Sequence, residues 1–329
     1  MERTVADSYV CPRIGFRRCK MVTVAKPLGN LSRTNMAYSL FEILGAWVLI
    51  AASFAIVGRV HPLVSAVPML LAMTILQQAL LTLLHDSWHG LLAKDRKIND
   101  FLGKYLISFP CIKLWNRLKQ EHLAHHVHLG NRDSDPTFLL YGFEPGEPRN
   151  KPVRFIFRRL GGRILETIWR ATQPAHEPVK KDAYWGSKRD LWKELVSMAL
   201  LQGVLFLAIA AAAPWWTYFA FWVFPFFTTT AACNLIRTFC EHAHPLTDEG
   251  VPPTRRLISF KSNMVEVSFI APLHFNYHAE HHLNMSVPHY RLPELRRRME
   301  AAGRLGFPVR STYFEVLREH FGRRPASEI

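Results

Sequence analysis

Residues 63–89 read LVSAVPMLLAMTILQQALLTLLHDSWH, an apolar run that ends in two histidines. The first part, residues 63–84, contains no charged side chain. A helix of about 20 apolar residues crosses a bilayer core of about 30 Å, so this length is sufficient. The two histidines, His85 and His89, are four residues apart and share one helical face. The stretch predicts a membrane-spanning helix that presents two imidazoles at its end.

Three further stretches of the 329-residue chain have the same uncharged, apolar character. They are residues 43–57, 195–213 and 214–236, and the first is long enough if its helix begins near Tyr38. Short turns join the stretches in pairs, which predicts two helical hairpins. Buried core helices of a soluble protein are the alternative, and the length of the stretches disfavours it. The mean hydropathy of +0.01 hides this pattern, because basic segments separate the pairs.

The distribution of positive charge predicts the orientation in the membrane. The chain carries 41 Lys and Arg residues, and only Arg59 lies in a turn between paired stretches. Positive residues remain on the cytoplasmic side, so we expect both termini and the central segment to be cytoplasmic, in a multi-pass protein of the bacterial inner membrane. The net charge of +15 suits contact with anionic lipid. A nucleic-acid surface is the alternative, and four apolar spans argue against it.

Histidines cluster beyond the predicted spans in three short motifs, which we term boxes 1, 2 and 3. They read HDSWH at 85–89, HLAHH at 122–126 and HAEHH at 278–282. Positions i, i+3 and i+4 share a helical face, so each box presents two or three imidazoles together. A single H-x-x-x-H pair is more often structural, whereas three boxes on one side of the membrane indicate a metal site.

The number of imidazoles indicates which metal they bind. The boxes offer eight histidines, and His242, just past the fourth span, makes nine. One zinc ion usually takes four ligands, so nine suit two ions with open positions, and two irons would fit the activation of dioxygen. Asp86, Glu241 and Glu280 each stand beside a candidate ligand, and we expect them to orient imidazoles through the second ring nitrogen. Charges on a solvated surface are the alternative for these three acids.

A membrane protein with structural zinc is the alternative from a non-enzymatic class, and a metal transporter is another. Transporters usually place ionisable residues within their spans. The predicted spans hold almost none, and the clustered histidines lie outside them. This distribution disfavours transport.

The three boxes together resemble those of the membrane fatty-acid desaturase superfamily, the three-histidine-box, non-haem di-iron oxidases of membranes. NMSVPHYRLPELRR at 284–297 and NRDSDP at 131–136 are similar to segments that follow the family's third and second boxes. The resemblance covers roughly residues 40–300. It implies an all-α integral membrane fold, in which four transmembrane helices form two hairpins and a cytoplasmic helical cap holds a di-iron site.

The implied organisation has a cytoplasmic N-terminal segment (1–37), a desaturase-like membrane domain (38–300) and a cytoplasmic C-terminal tail (301–329). The cap of this domain comprises residues 85–194 and 237–300. The expected spans are about 38–58, 63–84, 195–213 and 215–236.

Carried over box by box, the resemblance implies metal ligands for two Fe2+ ions. They are His85, His89, His122, His125, His126, His242, His278, His281 and His282. His244 is the rival of His242, and His274, four residues before box 3, is a further candidate. O2 is the implied co-substrate. The sequence shows no CxxC cluster and no His-Pro-Gly-Gly signature, so a separate ferredoxin- or cytochrome-type electron donor with its reductase is implied.

The resemblance favours a fatty-acyl desaturase that introduces a C=C bond into a long-chain lipid taken from the bilayer. The same boxes occur in carotenoid ketolases and hydroxylases, and in fatty-acid decarboxylases that form 1-alkenes, so these remain alternatives. Residues 101–112 are too short to span and predict a re-entrant or interfacial segment. Residues 153–169 predict a basic amphipathic helix at the interface or a plain cap helix. No nucleic-acid partner is expected.

Overall fold

The computed structural model describes residues 29–131, 134–142, 156, 159, 188–242 and 256–321, and these are mostly helical. The described helices are α1 (Met36–Val57), α2 (Pro62–His89), α3 (Arg96–Phe101), α4 (Trp115–His128), α5 (Phe138–Tyr141), α6 (Lys188–Ala212), α7 (Phe224–Phe227), α8 (Thr229–His242), α9 (Met264–Phe269), α10 (His278–Leu283), α11 (Leu292–Ala301) and α12 (Tyr313–Phe321). Two π-helical segments are π1 (Leu102–Ser108) and π2 (Tyr218–Val223). His244, and all of the predicted helix at 153–169 except two residues, lie outside the described ranges.

Within the described ranges, four helical stretches are long and apolar enough to cross a membrane. They are Met36–Val57, Val64–His89, Lys188–Ala212 and Tyr218–His242. Their outer faces expose apolar side chains such as Val48 and Leu200, as a helix in contact with lipid does. The predicted helical fold with four spans is therefore confirmed. The cytoplasmic position of the cap stays a prediction.

α2 continues beyond the predicted end of the second span. Its 28 residues form one unbroken helix that includes box 1 as its last turns. At a rise of 1.5 Å per residue, such a helix is about 42 Å long, which exceeds the thickness of a bilayer core. The same rigid element therefore crosses the membrane and carries His85 and His89 out of it.

The fourth span is interrupted, unlike the second. It begins as π2, continues as α7, and breaks at Thr228, whose φ and ψ angles are −119° and −89°. A break frees backbone carbonyls, and lipid offers them no hydrogen-bond donor. Amides of α2 supply the donors, because Gln77 Nε2 donates to Trp222 O at 2.8 Å and Gln78 Nε2 donates to Thr230 O at 2.9 Å. These bonds join the second and fourth spans about two turns before box 1.

Residues 101–112 pack inside the bundle of spans. The carbonyl of Leu106 in π1 accepts a hydrogen bond from the Trp47 indole of α1 at 2.9 Å. The carbonyl of Pro110 accepts one from the Trp222 indole of the fourth span at 3.2 Å. The Trp47 donor comes from the middle of the first span and the Trp222 donor from the second turn of the fourth span, so both contacts lie within spans and favour the re-entrant form over the interfacial one.

The described residues that follow the fourth span pack around box 3. β1 (Ser259–Phe260) pairs in parallel with β2 (Val309–Arg310), a two-residue ladder that the all-α expectation did not include. The Phe260 ring stacks on Tyr313 of α12, with ring centroids 3.9 Å apart. Part of the predicted C-terminal tail, up to residue 321, therefore belongs to this core. The two strands of this ladder are distant in sequence, so no local sequence pattern predicts that they pair.

Glu194 positions the helix that carries box 2. The first backbone N–H groups of a helix have no partner within it. At the start of α4, the N–H of Asn116 donates to Glu194 Oε1 of α6 at 3.0 Å. A carboxylate at this end also interacts favourably with the helix dipole. A side chain of the third span thus fixes the position of the first turn of α4, the helix that carries box 2.

We expect the side chain of Gln202 to be the most sensitive link between the re-entrant segment and the spans. Its Nε2 donates to the carbonyls of Phe109 and Pro110 at 2.7 Å each, and its Oε1 accepts from Tyr218 at 2.7 Å. Gln202→Leu should lower stability by about 1–3 kcal/mol, because it removes three partly buried hydrogen bonds and leaves the Tyr218 hydroxyl without its acceptor. Thermal unfolding in detergent measures this loss. Leu200→Ala, at a lipid-exposed position of α6, is the control, and an equal loss in both variants would refute the expectation.

Candidate metal centre

The predicted histidines converge into two groups of imidazoles. Group 1 contains five residues whose ligand nitrogens all lie within 4.8 Å of one another, namely His85, His89, His122, His126 and His281. Group 2 contains His125, His242, His278 and His282. In group 2, His125, His242 and His282 satisfy the same 4.8 Å limit, and His278 satisfies it with His242 and Glu241. The structure thus brings together all nine predicted ligands.

Each group draws on several parts of the chain. Box 2 is divided, because His122 and His126 on one face of α4 belong to group 1 while His125 belongs to group 2. Box 3 on α10 is divided as well, with His281 in group 1 and His278 in group 2. A helix that carries three imidazoles over one turn spreads them across a wide arc. Boxes 2 and 3 therefore lie between the groups and serve both.

Distances between the ring nitrogens fit ligands that share an ion. The Nε2 atom of His122 lies 2.8 Å from that of His89 and 2.9 Å from that of His126, and His89 and His281 are 3.1 Å apart. In group 2, Nε2 of His278 and Nε2 of His282 are 3.0 Å apart. Imidazole binds zinc at about 2.1 Å, and ligands of one ion at that distance are at most about 4.2 Å apart.

Burial gives a second test of whether a metal fits. His85 is 4 % exposed, and neither of its ring nitrogens has a hydrogen-bond partner in the described part of the chain. A buried polar atom without a partner costs about 1–3 kcal/mol. A metal ion bound by a ring nitrogen would remove much of this cost. The residues present therefore fit a metal centre.

The protonation state of the imidazoles favours metal binding. Burial is the main cause that lowers the pKa of His122, His126, His278, His281 and His282 well below the usual value for histidine, and neighbouring imidazoles lower it further. A neutral imidazole keeps the lone pair that a metal requires. These imidazoles can therefore bind a metal cation without first losing a proton.

Asp135 orients one of the ligands, and the sequence analysis gave it no role. Its Oδ2 atom accepts hydrogen bonds from Nδ1 of His125 at 3.0 Å and from the hydroxyl of Tyr141, and its Oδ1 atom accepts one from the hydroxyl of Thr137 at 2.9 Å. With Nδ1 as the donor, Nε2 of His125 is free to bind a metal and lies 3.3 Å from Nε2 of His242. The sequence feature that could have identified Asp135 is its place in NRDSDP, the segment after box 2.

Two of the three predicted orienting acids bind other groups instead. Glu280 accepts hydrogen bonds from Ser259 and Arg296, the latter at 3.1 Å, because the carboxylate points away from the neighbouring histidines of α10. Asp86 Oδ1 is 3.7 Å from Nδ1 of His85, which is too long for a hydrogen bond. Glu241 is the acid that faces the imidazoles, with Oε2 at 3.8 Å from Nε2 of His278.

Asp86 belongs to a buried network with His289, which lies in the segment after box 3. Nδ1 of His289 lies 2.8 Å from Asp86 Oδ2, and its Nε2 lies 3.1 Å from Glu42 Oε1. Burial alone would lower the pKa of His289, but the two carboxylates more than offset this and raise it to about 9. The network ties α1 and α2 to the segment after box 3. His274, the further candidate ligand, belongs to neither group.

A helical membrane protein with two adjoining histidine groups beside its spans has the features typical of a membrane-bound metal enzyme. The profile of the family described as Fatty acid desaturase matches residues 60–313, most of the chain. The chain therefore belongs to this family, and the protein is an oxidoreductase. The predicted resemblance is confirmed.

Curated relatives include both ketolases and desaturases. A beta-carotene ketolase of a Paracoccus species is 26 % identical over 84 % of this chain and 98 % of its own length. The dihydrorhizobitoxine desaturase of Bradyrhizobium elkanii is 23 % identical over 69 % of this chain and 66 % of its own. An sn-1 acyl-lipid omega-3 desaturase (ferredoxin) of a Synechocystis strain is 25 % identical over 66 % and 61 %.

The His289 network predicts how stability depends on pH. Because the folded-state pKa of about 9 exceeds the usual value of 6.5, the ion pairs stabilise the protein fully below that usual value. This stabilisation, about 3 kcal/mol, is lost as pH rises through 9. His289→Gln should therefore melt well below wild type at about pH 6 and close to it at about pH 10.

Melting temperatures in detergent across this pH range test the expectation. His61→Gln, in the turn between α1 and α2, is the matched control and should keep the dependence of the wild type. A constant difference between wild type and His289→Gln at every pH would show that His289 contributes packing and not charge.

Proposed function

We propose that the protein is an O2-dependent di-iron oxidase that removes hydrogen from an unactivated carbon of a long-chain lipid. The observation that carries this proposal is the convergence of nine imidazoles, six buried and three partly buried, in two groups beside the membrane spans. Two Fe2+ ions held by these residues would supply the activation of O2. Family membership supports the same class of reaction.

The residues of the chain have separable tasks in this reaction. The neutral imidazoles hold the metals, and Asp135 holds the His125 ring in the orientation that binding requires. Phe275 packs against ligands of both groups, with its ring centroid 4.6 Å from that of His85 and 4.8 Å from that of His278. Because the ligands and this ring are largely buried, water is kept away from the reacting carbon.

The substrate reaches the site from the bilayer. α2 and the fourth span carry His85, His89 and His242 at their ends, so the metal centre lies next to the membrane. An apolar chain can approach there without entering water. The family includes proteins that act on lipids, such as the acyl-lipid desaturase described above, and this supports a lipid substrate.

Fatty-acyl desaturation is the first candidate outcome, and carotenoid ketolation is the second. Desaturation follows from the motif after box 3 and from the two desaturases among the relatives. Ketolation is favoured by one observation, because the alignment to the Paracoccus ketolase spans 98 % of that relative. Both reactions need O2 and electrons. The proposed electron source is a separate ferredoxin- or cytochrome-type donor with its reductase.

We further propose that the protein is a multi-pass component of the bacterial inner membrane, with both termini and the metal centre cytoplasmic. The support is the scarcity of Lys and Arg in the turns that join paired spans, where only Arg59 occurs.

Expression in a bacterial host, with and without supplied carotenoid, tests the outcome of oxidation. Lipid extracts are profiled by mass spectrometry. A new monoene supports desaturation, a keto-carotenoid supports ketolation, and a 1-alkene supports decarboxylation. Purified protein that contains zinc alone, and extracts without any oxygen-dependent product, would refute the proposed function.

Replacement of one ligand tests the assignment of the site. His281→Ala should abolish the product while the protein still inserts into the membrane, because Nε2 of His281 lies 3.1 Å from that of His89 in group 1. The matched control is His274→Ala, which changes a histidine in the same part of the chain outside both groups. It should keep the product. Full activity of His281→Ala would remove box 3 from the mechanism, and loss in His274→Ala would add that residue to the ligands.

A further inference from the structure

Glu241 is a buried carboxylate beside two members of group 2, His242 and His278. It precedes His242 at the end of α8 and is 1 % exposed. One carboxylate oxygen of Glu241 and the ligand nitrogens of His242 and His278 all lie within 4.8 Å of one another. Its position beside His242 in the sequence predicts that this acid orients an imidazole through a hydrogen bond.

The distance from Glu241 to its neighbour does not fit a hydrogen bond. Oε2 lies 3.8 Å from Nε2 of His278, beyond the range of N–H···O bonds. Two ligands that each bind one ion at about 2.1 Å can be separated by up to about 4.2 Å, so 3.8 Å fits a shared ion. The Nε2 atom of His278 is also the atom that faces His282 of group 2, at 3.0 Å. The carboxylate and the imidazole therefore point toward the same space.

The other contacts of Glu241 hold the carboxylate in this position. Oε1 accepts a hydrogen bond from the hydroxyl of Tyr313 at 3.0 Å. Burial, and the carboxylate itself, raise the pKa of Tyr313 well above its usual value, so the hydroxyl stays protonated and donates. Arg237, one turn earlier on α8, places Nε 3.8 Å from Oε2. Oε1 is thus occupied by the tyrosine, and Oε2 is the oxygen directed at group 2.

Charge and the number of ligands both favour a carboxylate at this position. A divalent ion among neutral imidazoles brings a buried positive charge, which is costly unless a negative group is close. The Arg237 guanidinium, 4.2 Å above the Phe275 ring, adds a second positive charge nearby. Group 1 has five imidazoles and group 2 has four, so one carboxylate ligand would give each metal five protein donors.

We propose that Glu241 is a direct ligand of the metal ion in group 2, bound through Oε2, with Tyr313 positioning the carboxylate. This assignment rests on the proposed di-iron site and adds a tenth protein ligand of a different chemical type. One iron then has imidazole ligands alone, and the other has imidazole and carboxylate ligands together.

The test compares Glu241→Gln with wild type after purification in detergent and loading with iron-57. Loss even of an outer hydrogen-bond partner lowers metal affinity about 10–100-fold, and loss of a ligand should cost at least as much. We expect iron to fall from about two ions per chain toward one, with loss of one of two Mössbauer doublets. Glu266→Gln is the control, because Glu266 is also a buried carboxylate but caps α9. It should keep both irons.

Further outcomes separate this inference from the proposed function. If Glu241→Gln keeps two irons with the spectrum of the wild type, Glu241 is not a ligand, and the di-iron oxidase stands. If Glu241→Gln does not accumulate in the membrane, Glu241→Asp replaces it. This variant should bind two irons with one doublet shifted, and an unshifted spectrum would refute the assignment. Wild-type protein that binds no iron would overturn both the inference and the function.

Discussion

Burial of adjacent neutral imidazoles is the constraint on which the rest of this structure depends. Ring nitrogens of neighbouring imidazoles lie near 3 Å from one another, as Nε2 of His89 and Nε2 of His281 do at 3.1 Å. Few protein donors in the described part of the chain are available to these nitrogens. Such an arrangement is unfavourable in an apolar setting unless the nitrogens share a cation. The elements around the imidazoles hold this arrangement. They are the long helix α2, the interrupted fourth span, and the core that fixes α10.

The bilayer imposes a second constraint, which the polar side chains within the spans satisfy. Lipid provides no hydrogen bonds, so every interruption of a helix must find donors and acceptors inside the protein. Gln77 and Gln78 supply them at the break of the fourth span, and the Trp47 indole does so for the re-entrant segment. These polar residues in the spans tie the spans to one another, and through α2 and α8 they fix the separation of box 1 and His242.

Sequence alone predicted the parts of the molecule that repeat a local pattern. The length of apolar runs identified the four spans, and the spacing of His122, His125 and His126 identified a shared helical face. It could not predict how boxes 2 and 3 divide between the groups, because that depends on how α4 and α10 face each other across distant parts of the chain. The roles of Asp135, His289 and Tyr313 were missed for the same reason. Each acts through a side chain of another element, and proximity in sequence wrongly favoured Asp86 and Glu280 as orienting groups.

Relatives of this chain that are named for ketolation and for desaturation share about a quarter of its residues in each alignment. If the proposed metal centre serves both reactions, then the ligands alone do not determine which product forms. The outcome then depends on residues that place a carbon and its neighbour relative to the metals, and that keep water and a second substrate out. Under the proposed function Phe275 would be one such group, since its ring packs on both histidine groups and also lies beneath Arg237. Under the proposed function, a change of shape there would alter which carbon approaches the centre while the metal ligands stayed the same, so specificity could change without a change in the boxes of this chain.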